Sequence, residues 1–324
     1  MSRSEVPEPL FDAFLDYLRA NWLGNRYLVL QFPYKIAPEG WYDPRMLEFE
    51  FSILSKEEIM FEWLATWVSD SDGPFKASML ERATDPTLKA EARGDGKHKY
   101  VVGIDPASQS NEFAVVVLKL IGEDASIAQV VYVTTRRHIE LPAQVRLVFD
   151  ILNRFDVVHI SMDPGGGGYA LAAALSEDGD PFNCWGEFQG PVLPIDDESD
   201  RPGQRILQLN QMTNQWTTQV NNLMISDIQR GRLVFAGDSE PDDESEEALE
   251  QIERLKREMI RLRRYVAGDS IKYDLPGKPG DPQHQHDRWS ALTQAYGGLI
   301  WLRQRIQNQV QRESYNLIGL GYWL

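Results

Sequence analysis

Apolar residues recur along this chain with two different periods, and the alternation between them marks out strands and helices. Val101 to Ile104, Phe113 to Ile121 and Ala128 to Thr135 are apolar runs joined by short connections, which predicts three consecutive strands in a meander. Val145, Val148, Ile151, Leu152 and Phe155 then repeat at helical spacing, and the run Val157 to Met162 predicts a fourth strand. A helix is predicted to begin near Gly168, and another over roughly 204–230 with Leu209, Met212, Trp216, Val220 and Leu223 on one side. Arg232 to Ala236 returns as a strand, and 245–265 reads as a long charged helix. The last strong helix runs from about Asp287 to Gln304, with Trp289, Leu292, Tyr296, Leu299 and Ile300 as its buried face. Three strands, a helix, a fourth strand and later helices specify a mixed α/β sheet flanked by helices, not a doubly wound parallel one.

The first hundred residues follow another pattern. Phe11, Phe14, Leu15, Leu18 and Trp22 recur at helical spacing, and Tyr27 to Phe32 is a strand candidate. Ser55-Lys-Glu-Glu58 is a capping-box pattern that Ile59, Trp63, Leu64, Trp67 and Val68 continue as an amphipathic helix. Asp85 to Lys99 is rich in charge, glycine and small residues and reads as a linker. The expected division is therefore 1–98 and 99–324. Arg93-Gly-Asp95 within the linker is a chance triplet, since nothing else in the chain is extracellular in character.

A length of 324 residues, 42% hydrophobic and 25% charged, suits a soluble globular protein of one large or two ordinary domains. No run of 18 apolar residues predicts a membrane span, and the polar N-terminus lacks a signal-peptide core, so a cytosolic protein is the simplest reading. A single cysteine, Cys184, rules out an internal disulfide and a cysteine-based zinc site. The net charge of −16 argues against tight, passive coating of DNA. It leaves room for a local cleft whose carboxylates are reversed in sign by bound cations.

The chemistry concentrates in three aspartates. Tyr100-Val-Val-Gly-Ile-Asp105 is followed by Pro106, and Val157-Val-His-Ile-Ser-Met-Asp163 by Pro164 and four glycines. An apolar run that stops at Asp-Pro leaves a carboxylate at the carboxyl end of a strand, where open α/β sheets place ligands. The plainer alternative at each is an aspartate that merely starts a turn. Asp287 opens the last helix, where an acidic residue is also an ordinary cap. Three converging carboxylates would bind hard divalent cations such as Mg²⁺ or Mn²⁺, an arrangement suited to phosphodiester chemistry. His284 and His286 stand close to Asp287 and read more simply as exposed loop residues.

Gly165 to Gly168 is not a nucleotide loop: Tyr169-Ala-Leu follows, and no Gly-x-x-x-x-Gly-Lys occurs in the chain. Those glycines would let a helix or a DNA backbone approach Asp163. Arg254, Arg257, Arg261 and Arg264 form a stripe, but Glu250 and Glu253 stand four residues before Arg254 and Arg257, which favours a salt-bridged surface helix over a phosphate-facing one. Arg136, Arg137, Arg201 and Arg205 are further candidates for backbone contacts.

With these residues assembled, the sequence resembles the C-terminal part of the large terminase subunit of tailed bacteriophages, a DNA-packaging motor and headful nuclease. The segments that carry the resemblance are Tyr100-Val-Val-Gly-Ile-Asp-Pro-Ala107, His159-Ile-Ser-Met-Asp-Pro-Gly-Gly-Gly-Gly168 and His286-Asp-Arg-Trp-Ser-Ala-Leu292. Upstream, Leu54-Ser-Lys-Glu-Glu-Ile-Met-Phe-Glu-Trp63 resembles the segment that closes the family's ATPase domain, before a loop like Gly73-Pro-Phe75. The resemblance runs from about residue 25 onward. It implies a ribonuclease H-like nuclease domain over 99–324 and the end of an ATPase domain within 1–98. It also implies a two-metal endonuclease that cuts double-stranded DNA, with Asp105, Asp163 and Asp287 as catalytic ligands of two Mg²⁺ or Mn²⁺ ions. The partners implied are a portal protein and a small terminase subunit, and the compartment is the host cytoplasm. Two departures stand out. Arg288 occupies a position where many relatives carry a second acidic residue, and the Walker elements are missing, which implies an ATPase part that is deleted or encoded separately. Two alternatives remain: another ribonuclease H-like nuclease of resolvase or transposase type, or a non-catalytic motor-assembly module docking through Tyr315 to Leu324.

Overall fold

The computed structural model describes residues 33–38, 40–47, 73–106, 112–238, 245–267, 270–276 and 286–320, with the backbone alone at 266, 267, 270 and 311–320. The expectations for Phe11 to Trp22, Tyr27 to Phe32, the Ser55 capping box and the helix after it lie outside these residues, as do His284, most of the acidic run from Glu240 and the side chains of the tail. Contacts divide the chain into Met1–Asp70 and Ser71–Leu324. Within the first unit, a 3-10 turn spans Tyr34–Ile36, and Tyr34 meets Tyr42 edge-on at 6.5 Å.

The second unit begins well before the boundary expected at residue 98. Helix α1 (Ala77–Arg82) buries Met79 and Leu80, and Phe75 ahead of it is wholly buried in the same core. The short strand β1 (Thr84–Asp85) pairs in parallel with β8 (Leu233–Ala236) at the sheet edge. The segment read as a linker is thus held by apolar burial and strand pairing. Asp95 of the Arg-Gly-Asp triplet is fixed there, 2.7 Å from the Lys119 ammonium.

The sheet has the order β1-β8-β4-β3-β2-β5-β7-β6. Its centre is the expected meander: β2 (Tyr100–Asp105), β3 (Glu112–Ile121) and β4 (Ile127–Arg137) are antiparallel. β5 (Val157–Met162), reached through helix α2 (Leu141–Arg154), then lies parallel to β2, and β7 (Gln204–Leu209) parallel to β5. β6 (Val192–Pro194) closes the far edge. An antiparallel meander continued by parallel strands on the side of β2 is the ribonuclease H-like arrangement that the resemblance implied.

Pleating sorts the central strands into two cores. Tyr100, Val102 and Ile104 pack toward α2 and helix α3 (Gly168–Leu175). Val101, Ala114 and Val116 pack toward α1, α4 (Asn214–Gln229), α5 (Glu246–Arg261) and α6 (Asp287–Leu320). Both faces are covered, so β2 is apolar from Tyr100 to Ile104 instead of alternating.

Two helix expectations are corrected. Residues 204–209 form β7, not the start of a helix: Leu207 finds a parallel partner in Ile160, and the helix begins only after Thr213, whose hydroxyl accepts the Trp216 N–H at 3.2 Å. Leu223, expected on the buried side, is exposed. The charged helix ends at Arg261, and 263–267 turn into β9 (Arg263–Ala267), which pairs with β10 (Ser270–Asp274). Arg264 therefore leaves the arginine stripe and lies over the Tyr273 ring. Arg254 does pair with Glu250, at 2.6 Å, as the surface-helix reading expects.

The position of α6 decides the site. Trp289, Leu292, Tyr296 and Leu299 are buried along it, each contributing roughly 1.5–3 kcal/mol. Facing the strands, α6 presents Ala291, Ala295 and Gly298, and β2 presents Gly103. A Cβ on Gly103 would stand 2.1 Å from the Ala291 carbonyl oxygen and 2.2 Å from the Ala295 nitrogen. The helix backbone rests on the strand backbone there, so nothing flexible can yield. Gly103→Ala is expected to lower stability in urea unfolding by about 1–3 kcal/mol, the usual range for overpacking, or more because the clash is with main chain.

Candidate active site

β2 and β5 are adjacent parallel strands with Ile104 opposite Met162, so the next residues, Asp105 and Asp163, leave the sheet side by side at its carboxyl edge. The third aspartate arrives from above, because the close seat of α6 on Gly103 brings its first turn over the end of β2. The structure thus brings together the three aspartates singled out in the sequence.

Asp105 keeps a partly open edge, but its carboxyl is enclosed by protein. Burial first, then the charges of Asp287 and Asp163, push its pKa well above the ordinary carboxylate range, and a hydrogen bond with the Ser290 side chain pulls the other way. Asp287 is raised to about 6 by burial and by the neighbouring Glu112 charge. Backbone N–H groups of Asp287 itself and of Glu112 bond its carboxylate, while its Oδ2 is buried with no hydrogen-bond partner. Asp163 is held differently. Its Oδ1 accepts the Gly165 N–H at 2.9 Å, and a Cβ on Gly168 would lie 1.9 Å from its carbonyl oxygen. The glycines therefore let α3 start directly against Asp163, one of the two approaches expected of them; Gly165 to Gly167 are exposed.

Two carboxylates not singled out in the sequence complete the cluster. Glu112 opens β3 on the same pleat face as Asp105, where Arg137 pairs with it. Glu258 lies on the buried face of α5, among Leu255, Met259 and Leu262; burial raises it to about 7 against the opposing pull of Arg288. The sequence signal for Glu258 was a charge three residues after Leu255 and four before Leu262, in the middle of an apolar stripe. Glu112 gave only the weaker signal of an acid at the head of an apolar run.

Arg288 supplies no ligand. It is buried and donates Nη1 to Glu258 (2.6 Å), Nε to Gln251 (2.9 Å) and Nη2 to Thr135 (3.0 Å). His286 stands outside the carboxylate cluster, with Nδ1 3.2 Å from the Ser290 hydroxyl and Nε2 3.7 Å from Asp274. Arg136, Arg137, Arg201 and Arg205 have internal partners in Glu247, Glu112, Asp197 and the carbonyl groups of 197–201.

No protein-family model matches the chain, and no curated protein does. Solved structures with a similar fold do exist. Among them are large terminases and terminase nuclease domains. The large terminase nuclease from thermophilic phage G20c, with bound magnesium, is 15% identical over 69% of this chain and 96% of that one, with a TM-score of 0.46. The HK97 bacteriophage large terminase is 12% identical over 78% of this chain and 49% of its own, with a TM-score of 0.44. The human cytomegalovirus terminase nuclease domain, manganese-soaked and inhibitor-bound, is 10% identical over 68% and 92%, with a TM-score of 0.41.

Whether these residues suit a cation is decided by the side chains themselves. Among the described residues, no group of three or more His, Cys, Asp or Glu side chains is placed to hold a single ion. Mg²⁺ does not need one: it binds through one or two carboxylates and keeps several waters. The donors here are all oxygen, the charges of Asp287 and Asp163 oppose ionisation of Asp105, and Asp287 holds a buried oxygen without a partner. An all-oxygen donor set of this kind suits a hard divalent cation.

Without such a cation the raised pKa of Asp287 is a cost at neutral pH. The stabilisation of its protonated form is complete below about pH 4 and is lost as pH rises through about 6. In EDTA, Asp287→Asn should therefore be more stable than the unsubstituted chain at pH 8, by roughly 1–3 kcal/mol for a shift of this size, and the gap should close toward pH 4. Thermal melts across that range check it; equal slopes for the two proteins would contradict the electrostatic assignment.

Proposed function

We propose that this chain carries a metal-dependent endonuclease that cuts double-stranded DNA, the nuclease part of a phage large terminase subunit. The observation that carries the proposal is the meeting of Asp105, Asp163 and Asp287 at the carboxyl edge of β2 and β5, with Asp105 enclosed among like charges. The sequence resemblance supplies the setting: packaging of a phage genome, with a portal protein, a small terminase subunit and a separate or deleted ATPase part as partners.

In this reading Asp105, Asp163 and Asp287 would hold two Mg²⁺ or Mn²⁺ ions, with Asp105 the enclosed carboxylate among them. Such a pair of ions supplies activation of the attacking water and stabilisation of the leaving 3′ oxygen. The chain's own residues hold the carboxylates for that purpose. The Ser290 hydroxyl bonds Asp105, the Gly165 N–H orients Asp163, and the backbone N–H groups of Glu112 and Asp287 fix the third. The exposed turn at Gly165 to Gly167 has no side chains to bar a DNA backbone from Asp163.

Asp105→Ala should abolish Mg²⁺- or Mn²⁺-dependent nicking of plasmid DNA and leave the fold intact, since removing an enclosed carboxylate relieves repulsion. Nicking at the unsubstituted rate by a folded variant would defeat the assignment. DNA binding should be weak, strengthened by Ca²⁺ and strongly reduced by salt. It should be similar for unrelated duplexes, because phosphate contacts release counterions and carry no base information. The chain's net charge of −16 keeps that affinity low. Binding measured over a salt series with two sequences tests this; a tight, salt-insensitive preference for one sequence would count against it.

A further inference from the structure

Arg288 follows Asp287 in the first turn of α6, yet its guanidinium is turned into the protein and only 7% of the residue's surface is exposed. Its donors reach two other elements: Gln251 and Glu258 on α5, and Thr135 on β4. Nη1 also lies 3.3 Å from Glu112 Oε2 on β3. The second oxygen of Glu258 accepts the Trp289 N–H at 3.1 Å, so one α5 carboxylate grips both a side chain and the backbone of this turn. A planar guanidinium bonded along several directions has little freedom to reorient, unlike a lysine ammonium on a flexible stem. The turn it fixes carries both Asp287 and Ser290, the residues that face Asp105.

We propose that Arg288 is a positioning residue: by tying the first turn of α6 to β3, β4 and α5, it holds Asp287 over Asp105 in the arrangement that receives a divalent cation. The inference rests on the metal-site reading above and adds to it the reason an arginine serves at this position. Charge and position make opposite claims. By charge alone a guanidinium beside the site repels a cation, so removing it would tighten binding. By position, removing it loosens Asp287 and weakens binding.

Mn²⁺ binding to the full chain, followed by calorimetry and by the electron paramagnetic resonance signal of free Mn²⁺, separates the two. Arg288→Met leaves Glu258 buried without its partner and is prone to unfold. The paired variant Glu258→Gln/Arg288→Met is therefore the main test, because replacing both members of a buried ion pair is often tolerated. It also removes one basic and one acidic group together, so its affinity is altered less by charge than that of Arg288→Met. Loss of an orienting partner typically weakens metal binding by 10–100-fold, and a drop of about tenfold or more is expected in the paired variant. Arg288→Lys, which keeps the charge without the fork, should also bind Mn²⁺ more weakly. Mn²⁺ affinity unchanged in either variant, or tighter in Arg288→Met, overturns the positioning role. Absence of Mn²⁺ binding by the unsubstituted chain is a distinct result, which removes the metal-site reading and this inference with it.

Discussion

The contact on which the site depends is between two backbones. α6 lies on β2 with the carbonyl oxygen of Ala291 and the nitrogen of Ala295 directly over Gly103, closer than any side chain would permit. The same helix meets β5 through Gly298, where a Cβ would stand 2.6 Å from the His159 ring. That ring is itself buried, stacked on Trp301 at 4.8 Å and bonded to Gln208, and burial lowers its pKa to about 4, so it is neutral at physiological pH. Small residues at successive turns of α6 thus set its height above the sheet, and that height brings an aspartate from the last helix to the ends of two central strands.

The electrostatics at this place oppose folding. Asp105, Asp287, Glu112 and Glu258 are gathered where burial disfavours charge, with Arg288 beside them and Arg137 at the rim. Desolvation of buried charge exceeds what one guanidinium returns unless further hydrogen bonds complete the network. Several do, from Gln251, Thr135 and the Trp289 N–H. Glu112 Oε2 and Asp287 Oδ2 remain buried without a hydrogen-bond partner. In the proposed metal-site reading, a divalent cation would answer that deficit.

The meander, α2, the strand ending at Asp163 and the apolar face of α6 were all legible in the sequence, because each is a local pattern. Alternation or continuous burial marks strands, 3.6-residue spacing marks helices, and Asp-Pro marks where a strand stops. The residues 204–209 were misread because Leu209, Met212 and Trp216 happen to continue a helical spacing backward. Pairing of Leu207 with Ile160 overrode it, and no local pattern records a parallel partner more than forty residues away. The segment 85–99 was read as a linker for the complementary reason: its polar, glycine-rich composition is genuine, but it is held by Glu91 and Asp95 through Lys119 on β3.

The sequence by itself determined the fold class and named Asp105, Asp163 and Asp287, since strand ends and helix starts are written in neighbouring residues. Only the tertiary structure decided that Glu112 and Glu258 lie beside them, that Arg288 turns inward onto Gln251, Glu258 and Thr135, and that surface arginines such as Arg201 and Arg205 already have partners. The physical reason is that burial and charge pairing depend on which residues distant in the chain come within a few ångströms. Here the absence of a side chain at Gly103 set that distance.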